Sequence, residues 1–243
     1  MKTLLVLGAT SDIAKATAYV FAQNDWNIIL AGRHMPTLEA IALDMHIRTE
    51  RFVQCVSFDA DTVEDGAAFW DSLPCAPQAV LCAVGYLGVQ EKAEQSEKEA
   101  QAIMTRNFTG LMPMLSHAAN VFEEQQGGSL MVISSVAGDR GRASNYVYGA
   151  AKAGLTAFLS GLRQRLYKKN VQVMTIKPGF VDTAMTEGMA LPALLTAAPQ
   201  DVAKDIYAAF CKKKNIVYSK WFWKWIMRII TMIPECMFVR IKL

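Results

Sequence analysis

The chain has 243 residues, 52% of them hydrophobic, and a formal net charge of +3. This length and apolar content predict a single α/β domain with a large core. The small overall charge indicates no particular partner, and we expect no nucleic-acid binding. Five cysteines and three histidines are scattered along the chain, so we expect free thiols in a reducing compartment and no metal site. The first apolar run, Leu4 to Leu7, is too short for a signal peptide, so we expect a cytoplasmic protein.

The first strand, turn and helix have the pattern of a phosphate-binding site. An apolar strand from Thr3 to Leu7 runs into a glycine, and helix-like sequence follows from Lys15 to Gln23. Free N–H groups and the helix dipole at such a helix N-terminus favour a bound anion. The candidate binding residues in this turn are Gly8, Thr10, Ser11, Asp12 and Ile13. A carboxylate would repel a phosphate, so we expect Asp12 to cap the helix and point away from the anion.

The second predicted strand, Asn27 to Ala31, is followed by Gly32 and Arg33, without an acid. In dinucleotide-binding folds, an acid at this point binds the adenosine ribose hydroxyls and disfavours a 2′-phosphate. Arg33 instead offers a planar cation to that phosphate. We therefore expect NADP(H) to be preferred, with NAD(H) as the alternative cofactor. The competing interpretation is an ordinary surface arginine in a loop.

The remaining elements alternate between strands and helices. Strands are predicted at Arg51–Phe58, Ala79–Cys82, Leu130–Ser134, Val171–Ile176 and Ile216–Tyr218. Helices are predicted at Val63–Leu73, Asn145–Lys168 and Asp201–Cys211, with one or two more helices between Glu91 and Ala119. This alternation predicts a doubly wound, Rossmann-type α/β fold with a seven-stranded parallel sheet, spanning residues 1–219.

A serine, a tyrosine and a lysine define the candidate catalytic stretch. Ser135 follows the fifth predicted strand, and Tyr148 and Lys152 are four residues apart, on one face of a helix. An ammonium group one turn from a phenol favours the phenolate, so we expect Lys152 to lower the pKa of Tyr148. The pair could then exchange a proton with a carbonyl oxygen that the Ser135 hydroxyl holds. Taken alone, a Tyr-x-x-x-Lys spacing is also frequent by chance.

These motifs, together with the segment Lys177-Pro178-Gly179-Phe180-Val181-Asp182-Thr183, resemble the short-chain dehydrogenase/reductase family. The resemblance implies that Ser135 orients the substrate carbonyl, that Tyr148 is the acid/base, and that Lys152 also binds the nicotinamide ribose. It implies that Asn107 anchors a proton-relay water and that Thr183 contacts the nicotinamide carboxamide. Further cofactor-binding positions that it implies are Asp59, Ala60, Ala83, Val84, Gly85, Pro178, Gly179 and Val181.

Two family motifs are altered in this chain. The usual Gly-x-x-x-Gly-x-Gly turn keeps only Gly8, with Asp12 and Ala14 at the other two positions. The usual Asn-Asn-Ala-Gly motif is replaced by the sequence from Cys82 to Gly85, which lacks the amides that brace the central strand. We therefore expect another group to provide that brace.

The sequence indicates the substrate less directly than it indicates the cofactor. Residues 184–198 are rich in Met, Leu and Ala, and in this family such a segment covers the substrate, so we expect an apolar lid; a core helix is the alternative. The turn Gly-Ala-Thr-Ser-Asp-Ile-Ala from Gly8, the segment Ala83-Val84-Gly85-Tyr86-Leu87-Gly88 and a basic aromatic tail resemble, within the family, the keto-sugar reductases of decaprenylphosphoryl-ribose epimerisation. This resemblance implies a polyprenyl-phosphate sugar as substrate. The alternatives are a free small carbonyl or lipid compound, and a non-catalytic NADPH-binding relative. We expect a homodimer or homotetramer.

The C-terminal tail, residues 220–243, is basic and aromatic. It contains three tryptophans, and Lys220, Lys224 and Arg228 recur every four residues, which predicts one basic stripe on an amphipathic helix. From Cys211 onward there are eight basic residues and a single acid, Glu235. This pattern favours a helix in the membrane interface, placing the protein peripherally at the inner face of the membrane. The alternative is a helix packed in a dimer or across its own domain.

Overall fold

The computed structural model of the chain describes residues 2–62 and 65–241. Its strands are β1 (Lys2–Leu7), β2 (Trp26–Gly32), β3 (Val53–Ser57), β4 (Ala79–Cys82), β5 (Gly128–Ile133), β6 (Val171–Pro178), β7 (Phe180–Val181), β8 (Thr196–Ala197) and β9 (Ile216–Ser219). Its α-helices are α1 (Asp12–Ala22), α2 (Met35–Thr49), α3 (Gly66–Asp71), α4 (Gln90–Ala93), α5 (Glu97–Asn107), α6 (Met112–Glu124), α7 (Tyr146–Leu166), α8 (Pro199–Cys211), α9 (Trp223–Met232) and α10 (Glu235–Phe238).

Seven of the strands form one parallel sheet in the order β3-β2-β1-β4-β5-β6-β9. The prediction of a doubly wound, seven-stranded parallel sheet is therefore confirmed. The strand order reverses between β1 and β4, because β1 pairs with β2 on one side and with β4 on the other. In such folds a crevice for ligands opens at this point, outside the carboxyl ends of the strands.

Side chains of β1 alternate between the two helical layers that cover the sheet. Leu4 and Val6 enter a core that α1, α2 and α8 complete, whereas Leu5 and Leu7 enter the opposite core with α3, α6 and α7. All four side chains are fully buried. A strand that is covered on both faces has a continuous apolar sequence, which is why β1 reads as an unbroken run of Leu and Val.

The predicted helical region between Glu91 and Ala119 is more divided than the sequence suggested. It contains α4, α5, a short 3₁₀ turn at Thr109–Leu111, and α6, which continues to Glu124. Ser96 caps α5 by accepting a hydrogen bond from the N–H of Glu99, which starts a new helix after α4. Helix α3 is shorter than predicted, and Val63 and Glu64 lie outside the described residues. Strand β3 is also shorter than the predicted Arg51–Phe58.

The predicted lid, residues 184–198, contains no α-helix, so the core-helix alternative is wrong. It consists of 3₁₀ turns at Ala184–Thr186 and Ala193–Leu195, followed by β8, which pairs with β7 in a separate two-stranded sheet.

The tail does not form one continuous helix, which corrects the predicted basic stripe. Pro234 separates α9 from α10. Lys220 lies before α9 with φ 53°, and its ammonium group donates hydrogen bonds to the carbonyls of Leu194 and Thr196 in the lid segment. Only Lys224 and Arg228 therefore remain as basic residues of the predicted spacing on α9.

The inner face of α9 packs on the domain. Trp223 and Met227 are buried against Val136, with Phe180 and Leu195 packed around them. For this face, the structure favours the alternative of a helix packed across its own domain. No helix within residues 2–62 and 65–241 combines the length and the apolar character that a membrane crossing requires.

Candidate active site

The turn after β1 brings two backbone segments together at the crevice. Gly8 has φ +76°, and a Cβ on it would lie 2.8 Å from the backbone nitrogen of Val84. Only glycine combines this left-handed conformation with such a close approach. The glycine that remains from the altered family motif therefore joins the turn after β1 to the segment after β4.

Helix α1 presents its N-terminus to the same crevice. Ser11 is its N-cap, with its hydroxyl accepting a hydrogen bond from the N–H of Ala14. The expectation that Asp12 caps the helix is therefore wrong. Asp12 instead pairs with Lys15 at 2.8 Å and accepts a hydrogen bond from the N–H of Ala184 at 3.0 Å. The hydrogen bond from Lys15 lowers the pKa of Asp12, so the carboxylate is ionised but partly neutralised, which reduces its repulsion of an anion.

A cavity of about 420 Å³ lies at the crevice and brings the predicted site residues together. Every residue predicted to bind the cofactor lines it: Gly8, Thr10, Ser11, Asp12, Ile13, Arg33, Asp59, Ala60, Ala83, Val84, Gly85, Lys152, Pro178, Gly179, Val181 and Thr183. Ser135 and Tyr148 line it as well. Residues that lie as far apart in the sequence as Gly8 and Thr183 thus line the same cavity.

Ser135 and Tyr148 lie close together on the cavity wall. The Ser135 hydroxyl accepts a hydrogen bond from the N–H of Ala137 at 3.1 Å, and it interacts with the phenol of Tyr148. Burial raises the pKa of Tyr148 to about 12, and the bond to Ser135 opposes this rise. The pKa of Tyr148 is therefore raised, whereas we expected Lys152 to lower it. In this site the cost of placing a phenolate away from water decides the direction of the shift in the Tyr148 pKa.

Lys152 lies under the tyrosine and is only 2% exposed. Its Nζ donates a hydrogen bond to the carbonyl of Ile133 at 3.1 Å and lies 5.7 Å from the centre of the Tyr148 ring. Burial lowers the pKa of Lys152 to about 8. The ammonium group therefore sits at the end of β5, close enough to act on both the phenol and a ligand in the cavity.

Asn107 supplies the brace that the altered Asn-Asn-Ala-Gly motif lacks. This fully buried amide accepts a hydrogen bond from the N–H of Tyr86 at 3.1 Å and donates to the carbonyls of Tyr86 and Ile103 at 2.6 and 2.8 Å. Its side chain thus fixes the segment that follows β4. Asn107 does not itself line the cavity, so the structure places it behind the site rather than in it. The water-anchoring role implied by the family resemblance stays a prediction.

The end of the cavity where we expect the adenosine is more exposed than the end with Tyr148 and Lys152. Arg33 is exposed at the cavity rim, and no ion pair involves it within residues 2–62 and 65–241. Asp59 accepts a hydrogen bond from the N–H of Asp61 at 3.1 Å and lines the wall beside Ala60. The guanidinium of Arg33 is therefore available to an anion from the cavity.

Sequence reasoning missed several residues that line the cavity. Arg142 and Asn145, on the loop between Ser135 and Tyr148, are among these, as is Arg106, which pairs with Asp61. Met185 and Met189, from the segment expected to form the lid, line the cavity as well. The signal available for Arg142 was a basic residue inside the stretch that joins the serine to the tyrosine.

Comparison with known proteins agrees with this fold. The model of the short chain dehydrogenase family matches residues 2–191. An uncharacterized oxidoreductase of Mycobacterium tuberculosis is 35% identical over 221 residues, covering 90% of this chain and 88% of the relative. An uncharacterized oxidoreductase of Streptomyces coelicolor is 33% identical over 244 residues, covering 99% of this chain and 96% of the relative.

Among solved structures, a short chain dehydrogenase from Burkholderia cenocepacia in complex with NADP superposes with a TM-score of 0.83. It is 18% identical, and the match covers 99% of this chain and 98% of that one, which shows a shared fold. Together with the family match, these likenesses establish that the chain belongs to the short chain dehydrogenase family and is an oxidoreductase of that family.

Proposed function

We propose that the protein interconverts a carbonyl and an alcohol with NADP(H), with Tyr148 as the acid/base. The observation that carries this proposal is the meeting of Ser135, Tyr148 and Lys152 in the cavity that the Gly8 turn and the α1 N-terminus also line. When bound, the nicotinamide cofactor supplies or accepts the hydride at the carbonyl carbon. The residues of the chain supply binding, orientation and proton transfer.

The phenol of Tyr148 is suited to act as the acid in the reducing direction. A pKa near 12 keeps the hydroxyl protonated at neutral pH, ready to donate to the alkoxide that hydride addition creates. An alkoxide is more basic than a phenolate, so this transfer is favourable. Ser135, which bonds Tyr148, is placed to hold the carbonyl oxygen beside the phenol.

Lys152 supports the tyrosine and the cofactor. With a pKa of about 8 it is mostly protonated at neutral pH, and its charge favours the transient phenolate after proton donation. A Cβ on Gly85 would lie 3.6 Å from Nζ of Lys152, so the absence of a side chain there leaves room for a ribose beside the ammonium group. The Asn107 brace keeps that glycine in place.

We propose that NADP(H) is preferred over NAD(H). Arg33 at the cavity rim offers a guanidinium to a 2′-phosphate, and the relative from Burkholderia cenocepacia is itself in complex with NADP. First-turn N–H groups of α1 at Asp12 and Ile13 have no intrahelical acceptor and lie along the cavity, which suits a pyrophosphate.

For the substrate, we propose an amphiphilic carbonyl compound, with a lipid-linked keto-sugar as the specific candidate. Met185 and Met189 of the lid line the cavity and give it an apolar wall. A free small carbonyl or lipid compound is the second candidate. The contact between Ser135 and Tyr148 disfavours a non-catalytic NADPH-binding relative, because a binding protein has no need of a hydroxyl bonded to a buried phenol.

We further propose that the outer face of the tail contacts an anionic membrane surface. Trp225, Ile229 and Met232 are between 51% and 73% exposed and follow one side of α9 at helical spacing, and Trp221, 74% exposed, lies in the turn before this helix. Lys224 and Arg228 lie among them, which is the arrangement of an interfacial helix. A lipid-linked substrate would then reach the lid from the membrane. Assembly into a homodimer or homotetramer, by this face or another, is the rival use of the surface.

The test of the proposed reaction is cofactor consumption. Purified protein is mixed with NADPH and a panel of ketones, keto acids and keto sugars, and the loss of NADPH is followed together with the alcohol formed. We expect one alcohol for each NADPH consumed with at least one class. If NADPH binds but no member of a broad panel is reduced, and no alcohol of the panel is oxidised with NADP⁺, the reaction is wrong.

A further inference from the structure

Two buried side-chain atoms close to the cavity lack a hydrogen-bond partner within the described residues: Nε of Arg142 and Oδ1 of Asn145. Both side chains line the cavity that Ser135 and Tyr148 line. The N–H of Asn145 donates to the carbonyl of Arg142 at 3.1 Å, so a tight turn holds the two residues close together just before α7. Buried polar groups in folded proteins nearly always have partners, so this pair points to a ligand that supplies them.

The guanidinium of Arg142 also lacks a counter-charge. Across residues 2–62 and 65–241, no ion pair involves it. The nearby carboxylate of Asp139 is already used, since one oxygen pairs with Lys177 and the other accepts the Tyr218 hydroxyl at 2.9 Å. A terminal nitrogen of Arg142 contacts the sulfur of Met227 at 3.3 Å, and a thioether is a weak acceptor. Burial lowers the pKa of Arg142, because no ion pair among the described residues offsets the cost of placing its positive charge away from water.

We propose that Arg142 and Asn145 are specificity residues that bind an anionic group, a carboxylate or a phosphate, on the carbonyl substrate. This inference rests on the carbonyl reduction proposed above and names the substrate class of that site. The guanidinium of Arg142 donates a charge-assisted hydrogen bond to an anionic oxygen, and the amide of Asn145 bonds a hydroxyl or amino group of the same molecule. A neutral analogue would leave the guanidinium unpaired, so it is rejected.

Arg142 and Asn145 share the cavity with the lid segment, which adds an apolar part to the proposed substrate. Met185 and Met189 line the same cavity, and Met227 of the tail lies against Arg142. The substrate therefore meets a cation and a hydrogen-bond acceptor from the loop before α7, and apolar side chains from the lid. A carbonyl compound with an anionic group and an apolar part satisfies both.

The test measures affinity without turnover. Protein saturated with NADP⁺ is titrated calorimetrically with two matched pairs of probes: acetoacetate against methyl acetoacetate, and dihydroxyacetone phosphate against dihydroxyacetone. An oxidised cofactor cannot reduce a ketone, so these dead-end complexes report binding alone. We expect the anionic member of at least one pair to bind about 10- to 100-fold more tightly, as a charge-assisted hydrogen bond implies. The pair that shows the preference distinguishes a carboxylate from a phosphate.

Four variants connect the preference to the loop. Arg142→Gln should bring the affinity ratio near one, Arg142→Lys should restore part of it, and Asn145→Asp should reverse it, because a second anion repels the probe. Arg140→Gln is the matched control: it removes the same charge two residues away, from a side chain paired with Glu235 outside the cavity, and should keep the wild-type ratio.

The inference is overturned if neither anionic probe binds more tightly than its neutral partner, or if Arg142→Gln keeps the wild-type ratio. The inference is also overturned if Arg140→Gln lowers the affinity ratio as much as Arg142→Gln does. General electrostatic attraction would then be enough to explain the preference for the anionic probe. Failure of the carbonyl reduction itself shows differently, as absent turnover in the cofactor-consumption assay whatever the affinity ratio.

Discussion

Gly179 lies directly against the indole ring of Trp223: a Cβ on Gly179 would be 2.0 Å from a ring carbon. The glycine lines the cavity after β6, and the tryptophan, 4% exposed, belongs to α9 in the tail. The indole N–H also donates to the carbonyl of Leu195 in the lid segment at 3.3 Å. The tail is therefore part of the wall behind the candidate active site, and its inner face is fixed by packing.

Trp223→Ala should destabilise the protein by about 3–5 kcal/mol, the usual cost of emptying a buried tryptophan site. The lid should loosen as well, because the bond to Leu195 is lost. Denaturant unfolding gives the free energy, and limited proteolysis at residues 184–198 reports the lid. Trp225→Ala is the matched control, since Trp225 is 51% exposed and its removal should change the free energy of unfolding little. Equal stability of the two variants would contradict the packing described here.

Tyr148→Phe should reduce the catalytic rate by at least about 10²–10⁴-fold, the range of general acid–base catalysis, while NADPH still binds. The change removes only the hydroxyl that bonds Ser135. The control is Tyr146→Phe, because Tyr146 is 45% exposed and has alanine, not lysine, four residues on. Steady-state rates and cofactor fluorescence measure the two effects. Near-normal turnover of Tyr148→Phe would rule out the acid/base role.

Arg33→Ala should weaken NADPH binding about 10- to 100-fold and leave NADH binding almost unchanged, because the guanidinium would contact only the 2′-phosphate. Fluorescence titration of both cofactors measures the preference. Arg48→Ala provides the control, since Arg48 is an exposed arginine paired with Asp44 away from the cavity. Equal affinities of the wild-type protein for the two cofactors would refute the NADP(H) assignment.

Lys152→Met should stabilise the folded protein near neutral pH while reducing activity. The pKa of Lys152 is about 8 when folded and 10.5 ordinarily, so below pH 8 the fold carries a buried charge at a cost on the order of 3 kcal/mol. Between these two values the unfolded chain binds a proton that the folded one lacks, so wild-type stability rises with pH. The advantage of Lys152→Met should therefore be largest below pH 8 and disappear above pH 10.5.

Denaturant unfolding of cofactor-free protein at several pH values measures this difference. Lys168→Met is the control, because Lys168 is exposed on the turn after the same helix and should show no such dependence. A pH-independent difference between wild type and Lys152→Met would show that the buried charge does not limit stability.

Replacing Trp221, Trp225 and Ile229 together by Ser should weaken binding to anionic vesicles without unfolding the protein, since these side chains are exposed. Each basic residue near such a surface contributes about 1 kcal/mol, so raised salt should weaken binding but not abolish it. Co-sedimentation with anionic and neutral vesicles measures this, and analytical ultracentrifugation reports any loss of an oligomer. Wild-type protein that ignores both kinds of vesicle would refute membrane contact, and dissociation of the variant would assign the face to self-association.

Local patterns in the sequence determined the seven strands of the sheet, the candidate phosphate turn and the spacing of Tyr148 and Lys152. Each depends on neighbours along the chain: an unbroken apolar run makes a strand covered on both faces, and a spacing of four puts two side chains on one helical face. The family resemblance supplied most of the expected cofactor-binding positions, and all of them line the cavity, because carboxyl ends of parallel strands meet at one edge.

Only the tertiary structure decided what depends on burial and on contacts between distant segments. Desolvation set the direction of the shift in the Tyr148 pKa, and the helix contributing Asn107 had to pack beside the segment after β4 before its amide could brace Tyr86. Likewise, Trp223 became part of the cavity wall because Gly179 leaves room for it, 44 residues earlier in the chain. A linear pattern records which side chains are apolar, but the free energy of a contact depends on which surfaces exclude water together.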